Sequence, residues 1–228
     1  MIFYRSSFQA LSDQVLHATP NIRTLHAFGL FSASLPKLRL LRGCEDVTLP
    51  STIGRLLYLH TIDLRYTELD SQVPNTLWDI PTLRHVYLWN GFPPPPAANY
   101  PMPVLEKLPC LVVLMLGGYE GQTMSCSAQG FPRLQELQLV KFSMEKWGME
   151  EGTMPKLYRL TLCVCGKLSR LPEGLLNLLT LNQLVLECVP LISEDDTTLN
   201  ELKQKRCKYM CSTVDGTFRA LRTRDVIP

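Results

Sequence analysis

A short leucine motif, L-x-x-L-x-L, recurs along this chain and constrains its fold more than any other feature. It is clearest between Lys156 and Glu187, where the apolar pattern restarts after 24 residues. One such unit cannot bury its own leucines, so successive units must stack to form a continuous apolar core. Within each unit the L-x-L alternation sends the leucines to one face and the intervening residues to the other. The motif therefore predicts a repeating parallel sheet with a leucine core behind it.

The motif occurs eight times. The first apolar positions of successive copies lie 16, 21, 24, 28, 23, 23 and 24 residues apart. These spacings bracket, irregularly, the period of leucine-rich repeats, which is roughly 20–29 residues. The first two copies are degenerate, because Ala27 and Gly43 stand where the third leucine belongs. The eight predicted strands cover residues 22–27, 38–43, 59–64, 83–88, 111–116, 134–139, 157–162 and 181–186.

We predict an α/β fold, a leucine-rich-repeat solenoid with a curved parallel sheet on its concave face. The convex side is expected to consist of irregular, 3₁₀ or short helical segments, since proline steps such as Leu49-Pro50 and Leu171-Pro172 begin the returns. The repeats are assigned to residues 20–192.

Helical caps are predicted at both ends of the array. An amphipathic N-terminal capping helix is expected within residues 1–19. A C-terminal capping helix is expected within residues 193–207, with Ser193 as its N-cap and lysines near its end. Residues 208–228 show no periodicity and are predicted to form a flexible tail.

Two stretches depart from the repeat pattern. Residues 90–103 contain four consecutive prolines, which favour polyproline II and predict a protruding loop. This loop is either a contact element or a bland insertion. Residues 117–130 are small and polar, and a second loop is predicted there.

The sequence offers little for catalysis or metal binding. It lacks the phosphate-binding, nucleophile-elbow and zinc-protease motifs, and its four histidines lie in separate repeats. Its eight cysteines are scattered, without a second pair at zinc-finger spacing, so reduced structural thiols are favoured over disulfides or a metal site. We therefore expect no enzyme activity, no cofactor and no metal.

The sequence also bears on location and on non-protein partners. No apolar run reaches the roughly 18 residues of a membrane span, and none has signal-peptide length. The net charge of +2 does not demand a nucleic acid. A cytoplasmic, intracellular protein is expected, with no nucleic-acid partner and no membrane span.

The remaining candidate for function is the concave face, which the residues between the leucines should line. Arg65, Tyr87 and Trp89 are expected to be neighbours on two adjacent strands, and arginine and aromatic residues often anchor protein contacts. Either these side chains meet a partner, or the proline-rich loop folds over and buries them. The predicted protein-binding residues are Arg65, His85, Tyr87, Trp89, Met115, Gln138, Arg159 and Thr161.

The array resembles the leucine-rich-repeat region of plant intracellular nucleotide-binding disease resistance proteins of the coiled-coil class. The resemblance is carried by residues 18–29, 49–69, 73–88, 131–139 and 154–186, with their irregular repeat lengths, the LPSTIG return and the L-x-L-x-x-C step. It implies a recognition module that binds a pathogen effector or a guarded host protein in defence. It also leaves open an inhibitory repeat that docks on a nucleotide-binding partner domain. Since the sequence has no phosphate-binding loop, nucleotide-dependent switching does not follow from the resemblance. A substrate-receptor part of a ubiquitin ligase is a third alternative.

Overall fold

The computed structural model describes residues 2–3, 23–30, 35, 37–65, 67, 73–89, 102–205, 207–212 and 218–219. The chain divides into two compact units. The first unit consists of Met1–Pro93 with Leu108–Leu116, and the second of Pro94–Lys107 with Gly117–Pro228.

The first unit is built on parallel strands that follow one another in chain order. Its strands are β1 (Ile2–Phe3), β2 (Thr24–Leu30), β3 (Leu40–Thr48), β4 (Thr61–Leu64), β5 (His85–Trp89) and β6 (Val113–Gly117, to Leu116 in this unit). From β1 to β5 each strand pairs in parallel with the next. The motif positions coincide, so that Leu41 lies beside Ile62, and Ile62 beside Val86. The register of the predicted copies is therefore the register of the sheet.

The second unit contains two separate sets of strands. In the first set, β8 (Glu136–Val140), β10 (Arg159–Cys163), β11 (Gln183–Glu187) and β12 (Lys208–Ser212) pair in parallel in that order, and β13 (Phe218–Arg219) pairs antiparallel with β12. The second set is a parallel pair of β7 (Thr123–Cys126) and β9 (Lys146–Met149). The described residues of the unit include two α-helices, α1 (Met102–Leu105) and α2 (Thr197–Gln204).

Short 3₁₀ helices form the returns where the sequence carries its proline steps. They are η1 (Ser51–Arg55), η2 (Asn75–Asp79) and η3 (Glu173–Asn177), and each begins after a proline in an extended conformation. Proline suits this place because its ring sets φ and it has no N–H to donate. The predicted 3₁₀ character of the returns is confirmed.

Leucines of the repeat motif form the core of each unit. On β5 and β10 buried and half-buried or exposed residues alternate strictly, with Val86, Leu88, Leu160 and Leu162 pointing into the core. All eight predicted motif strands are present, and the predicted leucine-rich-repeat solenoid is confirmed. No helix of the described ranges is long and apolar enough to cross a membrane.

The end of the chain differs from the prediction. The expected tail of residues 208–228 begins with β12, a further strand in repeat register, followed by the short β13. The sequence hid this strand because Tyr209 and Cys211 pair with Leu184 and Leu186, so aromatic and thiol side chains replace the leucines of the motif. The prediction of a flexible tail was therefore wrong for residues 208–212.

The C-terminal cap is a helix, as expected, but it begins later than predicted. Asp196, not Ser193, is the N-cap of α2, and its Oδ1 accepts a hydrogen bond from the Leu199 amide at 2.8 Å. The Ser193 hydroxyl instead accepts from the Asp195 amide at 3.1 Å. A carboxylate at the N-cap gains from the helix dipole as well as from the hydrogen bond.

Of three further predictions, one differs from the structure and two fall mostly outside the described residues. The predicted loop of residues 117–130 contains strand β7, which pairs with β9 although neither carries the leucine motif. The predicted loop of residues 90–103 lies outside the described residues up to 101, and Pro103 stands in the first turn of α1, where proline is tolerated. The N-terminal capping helix falls on residues outside the described part, apart from Ile2–Phe3, which form β1.

Close packing between η3 and β9 gives a test of the second unit. A Cβ at Gly174 would lie 2.7 Å from the Met149 Cβ, whereas a Cβ at Gly166 would meet no atom within 4 Å. We expect Gly174→Ala to lower the free energy of unfolding by roughly 1–3 kcal/mol through this overlap. Gly166→Ala is the matched control and should change it by less than about 0.5 kcal/mol. Urea unfolding followed by circular dichroism measures both, and equal effects would contradict the packing.

Candidate functional site

The face of the first unit's sheet that is opposite to its leucine core is here called the open face. On β5 it carries His85, Tyr87 and Trp89, all half-buried, while the residues between them are buried in the core. Met115 of β6 is half-buried in the same alternation. Four of the predicted binding residues therefore alternate with core residues on their strands, as the motif requires.

A buried carboxylate, Asp63 of β4, organises the open face. Its side chain is only 4% exposed. Arg65 binds it through two hydrogen bonds, from Nε to Oδ1 and from Nη2 to Oδ2, both 2.9 Å long. Arg42 of β3 donates a third from its Nε to Oδ2 at 3.2 Å. Two arginines thus satisfy one buried charge, which would be costly without partners.

The sheet register brings these charges together. Arg42 pairs with Asp63 across β3 and β4, and Asp63 pairs with Tyr87 across β4 and β5. Opposite charges at the middle position of adjacent copies are visible in the sequence, so that signal could have identified Arg42 and Asp63. Sequence reasoning placed both on the face and did not select either as a site residue.

Arg65 also lies over an aromatic ring. Its guanidinium carbon is 4.6 Å from the centroid of the Tyr87 ring. This is the distance of a cation–π contact, which prefers a guanidinium stacked on the ring face. Because Asp63, two residues before Arg65, holds the same guanidinium, the predicted neighbours Arg65 and Tyr87 form one ordered pair.

Burial raises the pKa of the Asp63 carboxyl, but the hydrogen bonds and charge of Arg65, together with the charge of Arg42, more than offset that effect. The pKa of Asp63 is therefore lower than its ordinary value. At neutral pH the carboxylate is ionised and holds both arginines. Nearby, the Thr61 hydroxyl and His85 Nδ1 lie 3.1 Å apart and form a hydrogen bond.

The other three predicted residues lie in the second unit and form a row of their own. Gln138 and Thr161 pair across β8 and β10 and are half-buried, while Arg159 is exposed. Arg159 donates from Nε to the Gln183 Oε1 at 2.7 Å. The Gln183 amide in turn donates to the Tyr158 hydroxyl at 3.3 Å. The row is polar and half-buried to exposed, and its described residues lack a buried charge such as the one that orders the first unit's open face.

Three of the described thiols do not suit nucleophilic catalysis. Seven described cysteines are free, and burial raises the pKa of Cys126 to about 12 and that of Cys207 to about 11. Burial, and then a hydrogen bond with the Glu187 carboxylate, raise the pKa of Cys163 to about 11. These thiols stay protonated at neutral pH, and a thiol must ionise to act as a nucleophile or metal ligand. Within the described ranges no three metal-ligating side chains cluster.

Several plant proteins have sequences similar to this chain. The disease susceptibility protein LOV1 of Arabidopsis thaliana is 32% identical over 181 residues, which cover 77% of this chain and 18% of LOV1. The disease resistance protein RPP8 of the same plant is 34% identical over 172 residues, covering 70% of this chain and 18% of RPP8. The chain thus spans less than a fifth of the length of these relatives. No protein-family profile matches it.

Among solved structures, a leucine-rich-repeat protein of Leptospira interrogans has a similar fold. Its TM-score is 0.50 at 15% sequence identity, and the match covers 94% of this chain and 72% of that one. At this identity the similarity concerns the fold alone.

Asp63 gives the site a pH-dependent stability. A depressed carboxyl pKa contributes stability above the unfolded pKa of about 3.9, and that stability is lost as pH falls through the folded pKa. We expect Asp63→Asn to lower the free energy of unfolding by roughly 1–2 kcal/mol at pH 7, because both arginines lose a charged partner. The difference from wild type should shrink below about pH 4.

Asp79→Asn is the matched control, since Asp79 is an exposed aspartate of the same unit. It should change the free energy of unfolding by less than about 0.5 kcal/mol at pH 7. Chemical unfolding of both variants between pH 3 and pH 7 measures this, and an Asp63→Asn effect that does not vary with pH would rule out the proposed role of the carboxylate.

Proposed function

Because the chain is a leucine-rich-repeat homologue of plant disease resistance proteins, we propose that it is a non-enzymatic recognition module of plant defence. In this proposal it binds a pathogen effector or a host protein inside the plant cell. The open face of the first unit is the binding surface, with Arg65, Tyr87 and Trp89 as its anchors.

The observation that carries the proposal is the ordered Arg65–Tyr87 pair. Arg65 stands 4.6 Å over the Tyr87 ring and is held by a bidentate bond to Asp63. Its side chain is 32% exposed, so it is fixed and still reachable by a partner. Arginine and aromatic side chains dominate the energetics of protein interfaces. A pair that is ordered before binding loses little conformational entropy when the partner arrives.

Arg65 and Tyr87 also lie on the open face, which is the side of the sheet away from the leucine core. The leucines of β4 and β5 face away from this pair and are fully buried. Partner recognition can therefore vary with the open-face residues while the leucine core keeps the repeats stacked. This separation suits a binding scaffold whose specificity resides in the residues between its leucines.

The anchors can be tested by substitution in plant extract. We expect Arg65→Ala/Tyr87→Ala/Trp89→Ala to reduce capture of the specific partner about tenfold or more, since hot-spot residues carry most of the binding energy. The control variant is Thr52→Ala/Arg55→Ala/Asp79→Ala, which changes three exposed residues on the returns η1 and η2 of the same unit. It should capture the partner as wild type does. Affinity capture followed by quantitative mass spectrometry compares the three proteins.

A single substitution separates lost binding from lost folding. Tyr87→Ala leaves the Arg65–Asp63 hydrogen bonds in place, so it should weaken capture in the same direction while the protein stays folded by circular dichroism. If the folded triple variant captures the same proteins in the same amounts as wild type, the open face is not the recognition surface.

A further inference from the structure

A second feature of the first unit lies just before its strands. Four basic side chains, Arg23, Arg39, His60 and Arg84, occupy the second position of the motif in four consecutive copies. We call this set the basic column. Backbone hydrogen bonds join its members one to the next. Each of the last three residues donates its amide hydrogen to the carbonyl oxygen of the member before it, at 2.8 Å. The members therefore stand about one strand spacing apart, roughly 4.8 Å.

The column is exposed and without a carboxylate partner among the described residues. All three arginines are exposed, and His60 is half-buried. The ion pairs found in the described part of the chain join Arg42 and Arg65 to Asp63, and neither includes a member of the column. Surface arginines of a folded domain more often have mixed charges around them. Here like charges are repeated at one spacing, and no ion pair with a described carboxylate compensates them.

The positive charges of the column act on its histidine, His60. Burial lowers the pKa of His60, and the charges of Arg84, Arg39 and His85 lower it further. The guanidinium groups on both sides of His60 are therefore close enough to act on its ring. Such a row of cations attracts an anionic partner and speeds its association.

The column is a local property of the first unit. In the following copy the equivalent residue is Val112, and in the second unit the equivalents are Gln135, Tyr158 and Asn182. The backbone of the second unit repeats the same hydrogen bonds at these places, for example from the Tyr158 amide to the Gln135 carbonyl at 2.8 Å. The repeat fold therefore does not require a basic residue here.

Two exposed apolar side chains stand in the chain shortly before His60 of the column. Leu57 and Tyr58 are each 57% exposed and belong to the turn that leads directly into His60. A partner matched to this surface needs apolar as well as acidic side chains, which a protein segment offers. The chain's net charge of +2 and pI of about 8.1 also lack the strong overall basicity of many nucleic-acid-binding domains.

We propose that the basic column docks an acidic protein segment, whose clustered Asp or Glu carboxylates face Arg23, Arg39 and Arg84 and whose apolar residue lies on Leu57 and Tyr58. The proposal goes beyond the function proposed above, because it assigns a second surface that precedes the strands and a partner chemistry that the open face does not define. The two surfaces have no residue in common, so each can fail its own test while the other stands.

The probe is a fluorescein-labelled peptide in which Glu and Asp alternate with Leu and Phe, measured by fluorescence anisotropy with the full chain. We expect Arg39→Gln/Arg84→Gln to weaken its binding about tenfold, since two exposed cations of the column are removed. The control is Lys167→Gln/Arg170→Gln, which removes two exposed cations of the second unit and should change the affinity less than about twofold. Wild-type binding should weaken as salt rises, because exposed charges are screened.

A second peptide and the open-face variant show which charges and which surface the binding requires. A peptide with Gln and Asn in place of the acids should not bind, and the Arg65→Ala/Tyr87→Ala/Trp89→Ala variant should bind the acidic peptide as wild type does. The proposal is overturned if wild type does not bind the acidic peptide, or if both double variants weaken it equally. It is also overturned if a single-stranded oligonucleotide binds more tightly than the peptide and depends on Arg39 and Arg84, because the column would then be a nucleic-acid site.

Discussion

The register between successive copies of the motif is the constraint on which everything else in the structure depends. An apolar stack in the core of the first unit runs across three strands, through Leu41, Ile62 and Val86. The same pairing places Arg42, Asp63 and Tyr87 in a row on the opposite face. A slip of one residue would exchange the two faces and expose the leucines, so the apolar core holds the polar row in place. The side chains of the open face are thus positioned by side chains buried in the core on the other side of the sheet.

One buried charge turns that row into an ordered surface. Asp63 is nearly inaccessible, and its carboxylate is compensated by arginines from its own strand and from the strand before it. The arrangement confers little stability beyond that of an apolar core, because burial of the charge offsets much of the attraction. Its effect is to restrict Arg65, which then lies over Tyr87. The second unit shows the contrast, since Arg159 and Gln183 form an exposed hydrogen bond there without a buried charge.

Much of this fold could be predicted from the sequence, because the same motif recurs eight times at similar spacings. The eight strands, their register and the neighbouring positions of Arg65 and Tyr87 follow from that repetition. Strand β12 was not predicted because Tyr209 and Cys211 take the leucine positions of the motif. Strands β7 and β9 were not predicted because neither carries the leucine motif. The central role of Asp63 escaped for a different reason. The motif fixes which face a side chain occupies, but the direction in which Arg65 extends depends on competing contacts with Asp63 and Tyr87.

A double-mutant cycle between Arg65 and Tyr87 tests this arrangement most directly, since the two residues meet only if β4 and β5 are in the stated register and Asp63 directs the arginine. The free energy of unfolding is measured for wild type, Arg65→Ala, Tyr87→Ala and the double variant. We predict a favourable coupling of about 0.5–1 kcal/mol, the size of a cation–π contact at a partly exposed site. A coupling indistinguishable from zero, with all four proteins folded, would contradict the arrangement.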